Sequence, residues 1–390
     1  MSELVDRIEE LAEFLVDQAE EADSLGHLPD RTHKALREVG IVKALQPRDF
    51  GGAETHPREF FEGILAIGSR SASAGWVSSV VGVHSFELAQ GTRAVQEEIW
   101  GEDPDTWVAS PYAPIGRAKR TDGGWIFSGR WPFSSGTDLC DWVVLGGMLT
   151  DDEGAVRPDG LRHFILPRSD YTILQDSWNV VGLKGTGSKD VVIDGAFVPD
   201  HRLIDPEDLG SGAAAEQAGR GDVPLYRMPF HSMFSGAITA GTLAAAEGAL
   251  AAWVAYTRTR VSARGVTAAT DPRQLHALGE AASDLQASRM QFLADIDRLY
   301  EVAASGRPIA LELRAEVRRN QVRVSRRVGD AVDRLVAHAG GSAMRLDNPI
   351  QRFWRDLHIA LGHGANVAEP VYQAAGTVAF GGEPPANVRM

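Results

Sequence analysis

Apolar residues near the start of the chain recur with the period of a helix. Leu4, Ile8, Leu11 and Leu15 follow at steps of four, three and four with acids between them, which predicts a helix with one buried and one solvated face. A second helix over 32–39 is predicted to stop at Gly40, a usual helix-ending residue, and Pro47-Arg-Asp-Phe-Gly-Gly52 then reads as a loop. From about 107 to 204 the pattern changes to short β-rich runs such as GWIFSGRW, DWVVLGGML and DVVIDGAFV. Their separators, Asp122-Gly-Gly124 and Asp194-Gly195 among them, are turn formers, and the spacing predicts an antiparallel barrel or sandwich. The stretch 205–223, rich in Gly, Ala and acids without a period, is predicted to be a mobile loop. The helical period returns over roughly 238–262, 273–304, 310–339 and 349–367, and four long helices in succession predict a bundle. The expected division is an N-terminal helical domain over 1–104, a β-barrel domain with its linker over 105–225 and a helical bundle over 226–390.

Charge and composition narrow the function. The chain of 390 residues carries 39 Lys+Arg against 53 Asp+Glu, a net charge of −14, which argues against a nucleic-acid partner because phosphate backbones call for a basic surface. The arginine-rich helix from Arg314 to Arg327 therefore reads as interface or intramolecular pairing rather than a nucleic-acid stripe. The single Cys140 excludes an intrachain disulfide and any multi-cysteine metal site, so a reducing, cytoplasmic setting is expected. No membrane segment is expected: the acids of MSELVDRIEE do not suit a signal peptide, and the longest apolar stretch, 238–256, contains Glu247 and several glycines and alanines, as a core helix does. There is no strand–GxGxxG–helix unit, and Gly185-Thr-Gly187 lacks the third glycine, so a nicotinamide site within this polypeptide is not expected.

Several strings carry a family resemblance. Leu36-Arg-Glu-Val-Gly40 with Phe50-Gly-Gly52, Gly182-Leu-Lys-Gly-Thr-Gly-Ser188, Tyr256-Thr-Arg-Thr-Arg260 and Pro349-Ile-Gln-Arg-Phe-Trp-Arg-Asp356 resemble the acyl-CoA dehydrogenase superfamily. The resemblance implies an α+β fold: helical domain, central antiparallel β-barrel and C-terminal four-helix bundle. Gly75-Trp-Val-Ser-Ser79, His84, Ser110-Pro-Tyr-Ala-Pro114, Trp131-Pro-Phe-Ser-Ser-Gly136 and Arg355-Asp-Leu-His-Ile-Ala-Leu-Gly-His363 resemble, more narrowly, the oxygenase components of two-component flavin-dependent aromatic hydroxylases. That resemblance implies a homotetramer using O2 and reduced FMN, with FAD possible in this fold, delivered by a separate NAD(P)H:flavin reductase. It implies hydroxylation of a phenol ortho to its hydroxyl through a C4a-hydroperoxyflavin, with a bulky polycyclic phenol the first expectation and a small phenolic acid the second.

The resemblance also assigns residues. Trp76, Ser110, Pro111, Tyr112, Phe133, Ser134 and Ser135 match flavin-lining positions, with Ser135 near the flavin N5. On spacing alone Trp131 and Phe133 read as barrel core and Ser134-Ser135-Gly136 as a turn; the surrounding resemblance turns the reading towards the flavin. Arg260 matches an arginine reaching the flavin phosphates across a subunit interface, where a bidentate guanidinium suits phosphate oxygens; Arg264 could share that role, and Gly341 and Ser342 match a loop near the same phosphate. His363 is the expected catalytic base, with His358 as competitor. Proton transfer from a phenol to an imidazole is uphill by roughly 5 kcal/mol, so His84 and Ser110 are expected to hydrogen-bond the phenolate oxygen. Arg227 matches a position that meets a substrate carboxylate. Two other enzyme readings and one non-enzymatic reading compete. An acyl-CoA dehydrogenase would place a catalytic acid before a C-terminal Gly-Thr, where this chain has Ala375 before Gly376-Thr377. A nitrogen or sulfur oxygenase of the same fold would need no phenol-directed base, and a scaffold that has lost its flavin would have no activity.

Overall fold

Six helices precede the first strand: α1 (Glu3–Glu10), α2 (Ala12–Leu25), α3 (Asp30–Val39), α4 (Pro57–Gly68), α5 (Ala72–Leu88) and α6 (Arg93–Trp100). The computed structural model describes residues 2–261, 265, 267–385 and 388–390. Leu4, Val5 and Ile8 of α1 are buried as the periodicity requires, and α3 ends at Gly40 in the left-handed conformation. Every residue of α5 is buried, Glu87 included, so this helix runs through the interior and carries no solvated face.

The strands are β1 (Val108–Ala109), β2 (Gly116–Thr121), β3 (Gly124–Ser134), β4 (Trp142–Thr150), β5 (Val156–Pro167), β6 (Thr172–Leu174), β7 (Lys189–Pro199) and β8 (Leu203–Ile204). They form one sheet in the order β6-β7-β3-β2-β4-β5-β8, with β1 beside β4. The sheet is mixed, where the β-run pattern suggests antiparallel pairing throughout. β4 begins at the end of the sheet where β3 finishes, so it lies beside β2 in β2's own direction; β1 also pairs with β4 in parallel. The sheet core holds Trp131, whose Nε1–H donates to the Gly146 carbonyl at 2.9 Å, and a stack of Phe127 on Phe164 at 4.0 Å. Two irregularities interrupt β3, the second between Trp131 and Ser134. There Phe133 has φ +67° and is 65% exposed, so the bulge turns this ring out of the sheet and Phe133 is no part of the barrel core.

Two short helices, α7 (Pro206–Ser211) and α8 (Ala213–Gln217), occupy the segment expected to be a mobile loop. Asp205 accepts from the Glu207 N–H, Pro206 sits in the first turn, and Leu209, Ala214 and Ala215 are buried; neither helix is long enough to display a period. The bundle follows: α9 (Phe230–Thr259), α10 (Pro272–Ala304), α11 (Leu311–Ala339), α12 (Pro349–Leu361) and α13 (Ala368–Ala379). Among the described residues α9 alone has the length and mean hydropathy, 1.3, of a membrane-crossing helix. Its sides pack on α4, α5, α11 and α12, which is the placement of a core helix. The helix expected over 349–367 stops at Leu361, because Gly362 closes it and Gly364 opens a new turn, so His363 stands outside the helix.

Asp356 of α12 ties the bundle to the loop before β7. Its carboxylate accepts the Leu183 N–H at 2.5 Å, and a Cβ on Gly182 would lie 2.4 Å from the Arg355 carbonyl, so the loop rests directly on the helix backbone. Burial pushes the Asp356 carboxyl up to about 7. The folded chain therefore keeps this proton to higher pH than the unfolded chain, and the associated stability is lost as pH rises from about 4 through 7. In thermal melts across this range, Asp356→Asn is expected to flatten the decline; a Tm difference from wild type that does not vary with pH contradicts the assignment. Asp356→Ala leaves the Leu183 N–H without its partner and is expected to cost about 1–3 kcal/mol by denaturant titration.

Candidate active site

A cavity of about 580 Å³ opens where α5, the bulged end of β3, the loop before β7 and the C-terminal end of α12 converge. Trp76 and Val80 come from α5, and Ser110, Pro111 and Tyr112 from the segment after β1. Phe133, Ser135, Trp178, Leu183 and Phe234 complete an apolar and aromatic wall, with His363 at the turn after α12. Trp76 and His363 meet edge to face at 5.8 Å, and Phe133 meets Trp178 at 6.0 Å. Size and lining are those of a small-molecule site. Among the described residues no group of three His, Cys, Asp or Glu could hold a metal ion.

A directed chain of hydroxyls runs along one wall. Thr186 Oγ1 donates to the Leu183 carbonyl at 2.7 Å and stands 2.6 Å from Ser188 Oγ, which stands 2.7 Å from Ser135 Oγ. Trp76 Nε1–H donates to Ser135 Oγ at 3.2 Å. Thr186 spends its proton on a carbonyl, so Ser188 donates to Thr186 and Ser135 donates to Ser188. Ser135 then offers the cavity a lone pair, and a ligand N–H is what it can receive. Thr186 and Ser188 belong to the quoted Gly182–Ser188 string, yet nothing in the sequence puts them beside Ser135. Ser134 faces the other way, fully buried with its hydroxyl unpartnered, and does not line the cavity.

His363 is oriented by its own turn. The Ala365 N–H donates to its Nδ1 at 3.1 Å, which makes Nδ1 the acceptor and leaves the ring proton on Nε2. Burial, and secondarily the charge of Arg318, lowers its pKa to about 4. A neutral imidazole with Nε2–H is a hydrogen-bond donor, so in this arrangement His363 offers the cavity a proton where the resemblance implies a base. His358 also lines the cavity, but Nδ1 donates to the Trp354 carbonyl at 2.8 Å and Nε2 lies 3.3 Å from Asp333; both nitrogens are engaged.

Behind Tyr112 lies a buried polar cluster. Glu87 is fully buried and accepts from the Tyr112 hydroxyl, and His163 Nδ1 lies 2.5 Å from its other oxygen. Burial, then the Glu87 charge, raises the Tyr112 hydroxyl well above its usual range, so it stays a donor. Tyr112 stacks on His163 at 4.6 Å. His84 belongs here and does not line the cavity: Nδ1–H donates to the Val108 carbonyl at 2.6 Å, Nε2 is buried without a partner, and its ring packs edge-on against Tyr112. Burial lowers its pKa to about 4. His84 is thus absent from the lining that the expected contact with a substrate oxygen calls for, whereas Ser110 does line the cavity. Glu87 and His163 escaped the sequence reading, although a lone acid inside the apolar run of α5 was a usable signal.

The expected cationic residues lie elsewhere. Arg227 is half-buried, donates to the carbonyls of Gly221 and Gly306, and is not among the residues lining this cavity. Arg260 donates to the His338 and Ala339 carbonyls beside Gly341 and Ser342, so these three residues do come together. At 1.5 Å per residue along α9, however, Arg260 stands about 39 Å from Phe234, and none of the three reaches the cavity of its own chain. Arg264 lies outside the described residues. Ala375 is buried within α13, so no acid precedes Gly376 there.

Removing the Tyr112 hydroxyl leaves the buried Glu87 carboxylate with one donor fewer. Tyr112→Phe is expected to destabilise the chain by about 1–3 kcal/mol in denaturant unfolding. A change indistinguishable from zero contradicts the hydrogen bond from Tyr112 to Glu87.

Comparison with known proteins extends this reading. The family model described as acyl-CoA dehydrogenase, C-terminal domain, matches residues 237–383. A pigment production hydroxylase of Rhodococcus erythropolis is 43% identical, with 99% of this chain and 98% of that protein covered. The oxygenase subunit HsaA of a Mycobacterium tuberculosis flavin-dependent monooxygenase is 40% identical over 96% of this chain and 94% of its own. The crystal structure of the M. tuberculosis HsaA monooxygenase superposes with a TM-score of 0.92 at 40% identity, covering 98% of each chain. The oxygenase component of an FADH2-dependent resorcinol hydroxylase from a Rhizobium species is 32% identical, covering 92% of this chain and 90% of that one. The chain belongs to the oxygenase components of flavin-dependent monooxygenases, built on the acyl-CoA dehydrogenase fold.

Proposed function

We propose that the chain hydroxylates a phenol ortho to its hydroxyl, using O2 and reduced flavin delivered by a separate reductase. The cavity suits a flavin ring: Trp76, Trp178 and the outturned Phe133 offer aromatic surface, and Ser135 offers an oriented acceptor. When bound, reduced flavin would supply the two electrons that activate O2, one atom of which goes to the phenol while the other leaves as water. Ser135 would hold a ring N–H against its free lone pair, which retains that proton and suppresses loss of hydrogen peroxide. Arg260, Gly341 and Ser342 of a neighbouring copy would meet the flavin phosphate, since they cannot serve their own chain's cavity; this supports an oligomer, with the homotetramer the expected form. FMN is the flavin the sequence resemblance favours, and the relative named for FADH2 makes FAD the comparison in an anaerobic titration. A bulky polycyclic phenol remains the first expected substrate.

The observation that carries the proposal is one apolar cavity holding an oriented acceptor, Ser135, and an oriented neutral donor, His363. Ortho attack needs electron density that phenolate has and phenol lacks. Ser110 and the His363 Nε2–H supply hydrogen bonds to the phenolate oxygen. A hydrogen bond to a charged group contributes about 1.5–3 kcal/mol, enough to lower a phenol pKa of about 10 by one to two units.

Hydroxylation by the complete system is therefore expected to rise with pH through a midpoint of about 8–9, set by the bound phenol. In His363→Ala the midpoint should move up towards about 10. A profile that turns on near the imidazole range of about 6.5 in the wild type, or an unmoved midpoint in the variant, contradicts the donor role. Ser135→Ala is expected to speed peroxide release about tenfold, the equivalent of one lost hydrogen bond, measured separately from product. Unchanged coupling would remove Ser135 from the flavin-binding account.

A further inference from the structure

A second cavity, of about 340 Å³, adjoins the first and shares Phe234 and Gly364 with it. Its polar lining is cationic or neutral. Arg318 of α11 is 7% exposed and donates to the Ala365 carbonyl, and none of its nitrogens has a carboxylate partner among the described residues. Arg389 also lines this cavity. Arg314, one turn before Arg318, has a buried Nε without a partner. His231 lines the same space with a buried, unpartnered Nε2. The field of Glu312 reaches Arg314.

This charge pattern is unusual in a chain of net −14. A guanidinium buried without a carboxylate is costly, because desolvation is offset only by paired charge and hydrogen bonds. Burial lowers the Arg318 pKa to about 10, so it remains a cation at neutral pH. Burial, followed by Arg389, lowers His231 to about 3, so its ring is neutral and carries one N–H. A cation and a neutral N–H donor facing one cavity bind a planar oxyanion, and the fork of a guanidinium matches a carboxylate bidentately.

We infer that the cavity of Arg318 and His231 is a carboxylate subsite, filled by an acid group on a side chain of the substrate whose phenol ring occupies the neighbouring aromatic cavity. The inference rests on the phenol reading of that first cavity. It reassigns the acid-recognising role expected of Arg227 to a buried residue. The spatial link is short: Arg318 holds the Ala365 carbonyl, and the same residue's N–H holds His363. A substrate spanning both cavities would thus meet the His363 donor with its phenol and the Arg318 fork with its acid.

The test measures binding to the flavin-free protein by calorimetry, so it does not depend on turnover. The ligands are ω-(4-hydroxyphenyl)alkanoates with one to four methylenes, the 4-alkylphenols of matching length, and propionate alone. At least one alkanoate is expected to bind about tenfold or more tightly than its matching alkylphenol, and Arg318→Met should abolish that advantage by weakening the alkanoate far more than the alkylphenol. Arg318→Lys should keep part of the advantage, and His231→Phe should reduce it. The wild-type comparison needs no variant: equal affinities at every length overturn the subsite even if the variants fail to fold. Propionate that binds through Arg318 with no advantage for any alkanoate also overturns it, by making the anion a separate ligand. If neither phenol series binds, the phenol reading of the first cavity falls, and the subsite with it.

Discussion

The chemistry of the cavity depends on a single backbone hydrogen bond, from the Ala365 N–H to Nδ1 of His363. That bond exists because Gly362 ends α12 early, so the chain turns back on itself and presents a peptide N–H to the ring two residues before it. It commits one face of the imidazole to the protein and one proton to Nε2. Burial then keeps the ring neutral. The side chain type that suggests a base from sequence becomes, in this setting, a donor whose partner must bring negative charge.

The same logic governs the opposite wall. The hydroxyls of Thr186, Ser188 and Ser135 pass their protons towards the Leu183 carbonyl, leaving Ser135 with an acceptor for the cavity. Asp356 holds the Leu183 N–H, so the position of this wall relative to α12 and His363 is set by a contact between loop and bundle. Donor and acceptor are thus placed by backbone groups on two elements that are themselves tied together. Such anchoring lowers the reorganisation required when a ligand enters.

Much of the fold was legible because its signals are local. The period of Leu4 and Ile8, the stop at Gly40 and the long bundle helices follow from spacing, whereas the break at Leu11 that divides the predicted first helix into α1 and α2 does not. What was not legible needed a third dimension. His84 and His363 are both lone histidines in apolar surroundings, yet one is locked behind Tyr112 and the other opens onto the cavity. The bulge that exposes Phe133 lies between Trp131 and Ser134, inside one β-rich run, so no alternation announces it. Arg260 stands beside Gly341 and Ser342 in the fold, while its distance from its own cavity follows only from the length of α9. Arg318 was read as one of many arginines in a charged helix; its burial depends on which side of α11 faces α9 and the turn at Ala365.

The central claim is the protonation state of His363, and nitrogen NMR of the imidazole addresses it without catalysis. With 15N-labelled protein and a bound phenol, the account predicts Nε2 protonated and Nδ1 unprotonated throughout the range from about pH 5.5 to 8.5. An imidazolium in that range, or a proton on Nδ1 with Nε2 free to accept, would contradict it.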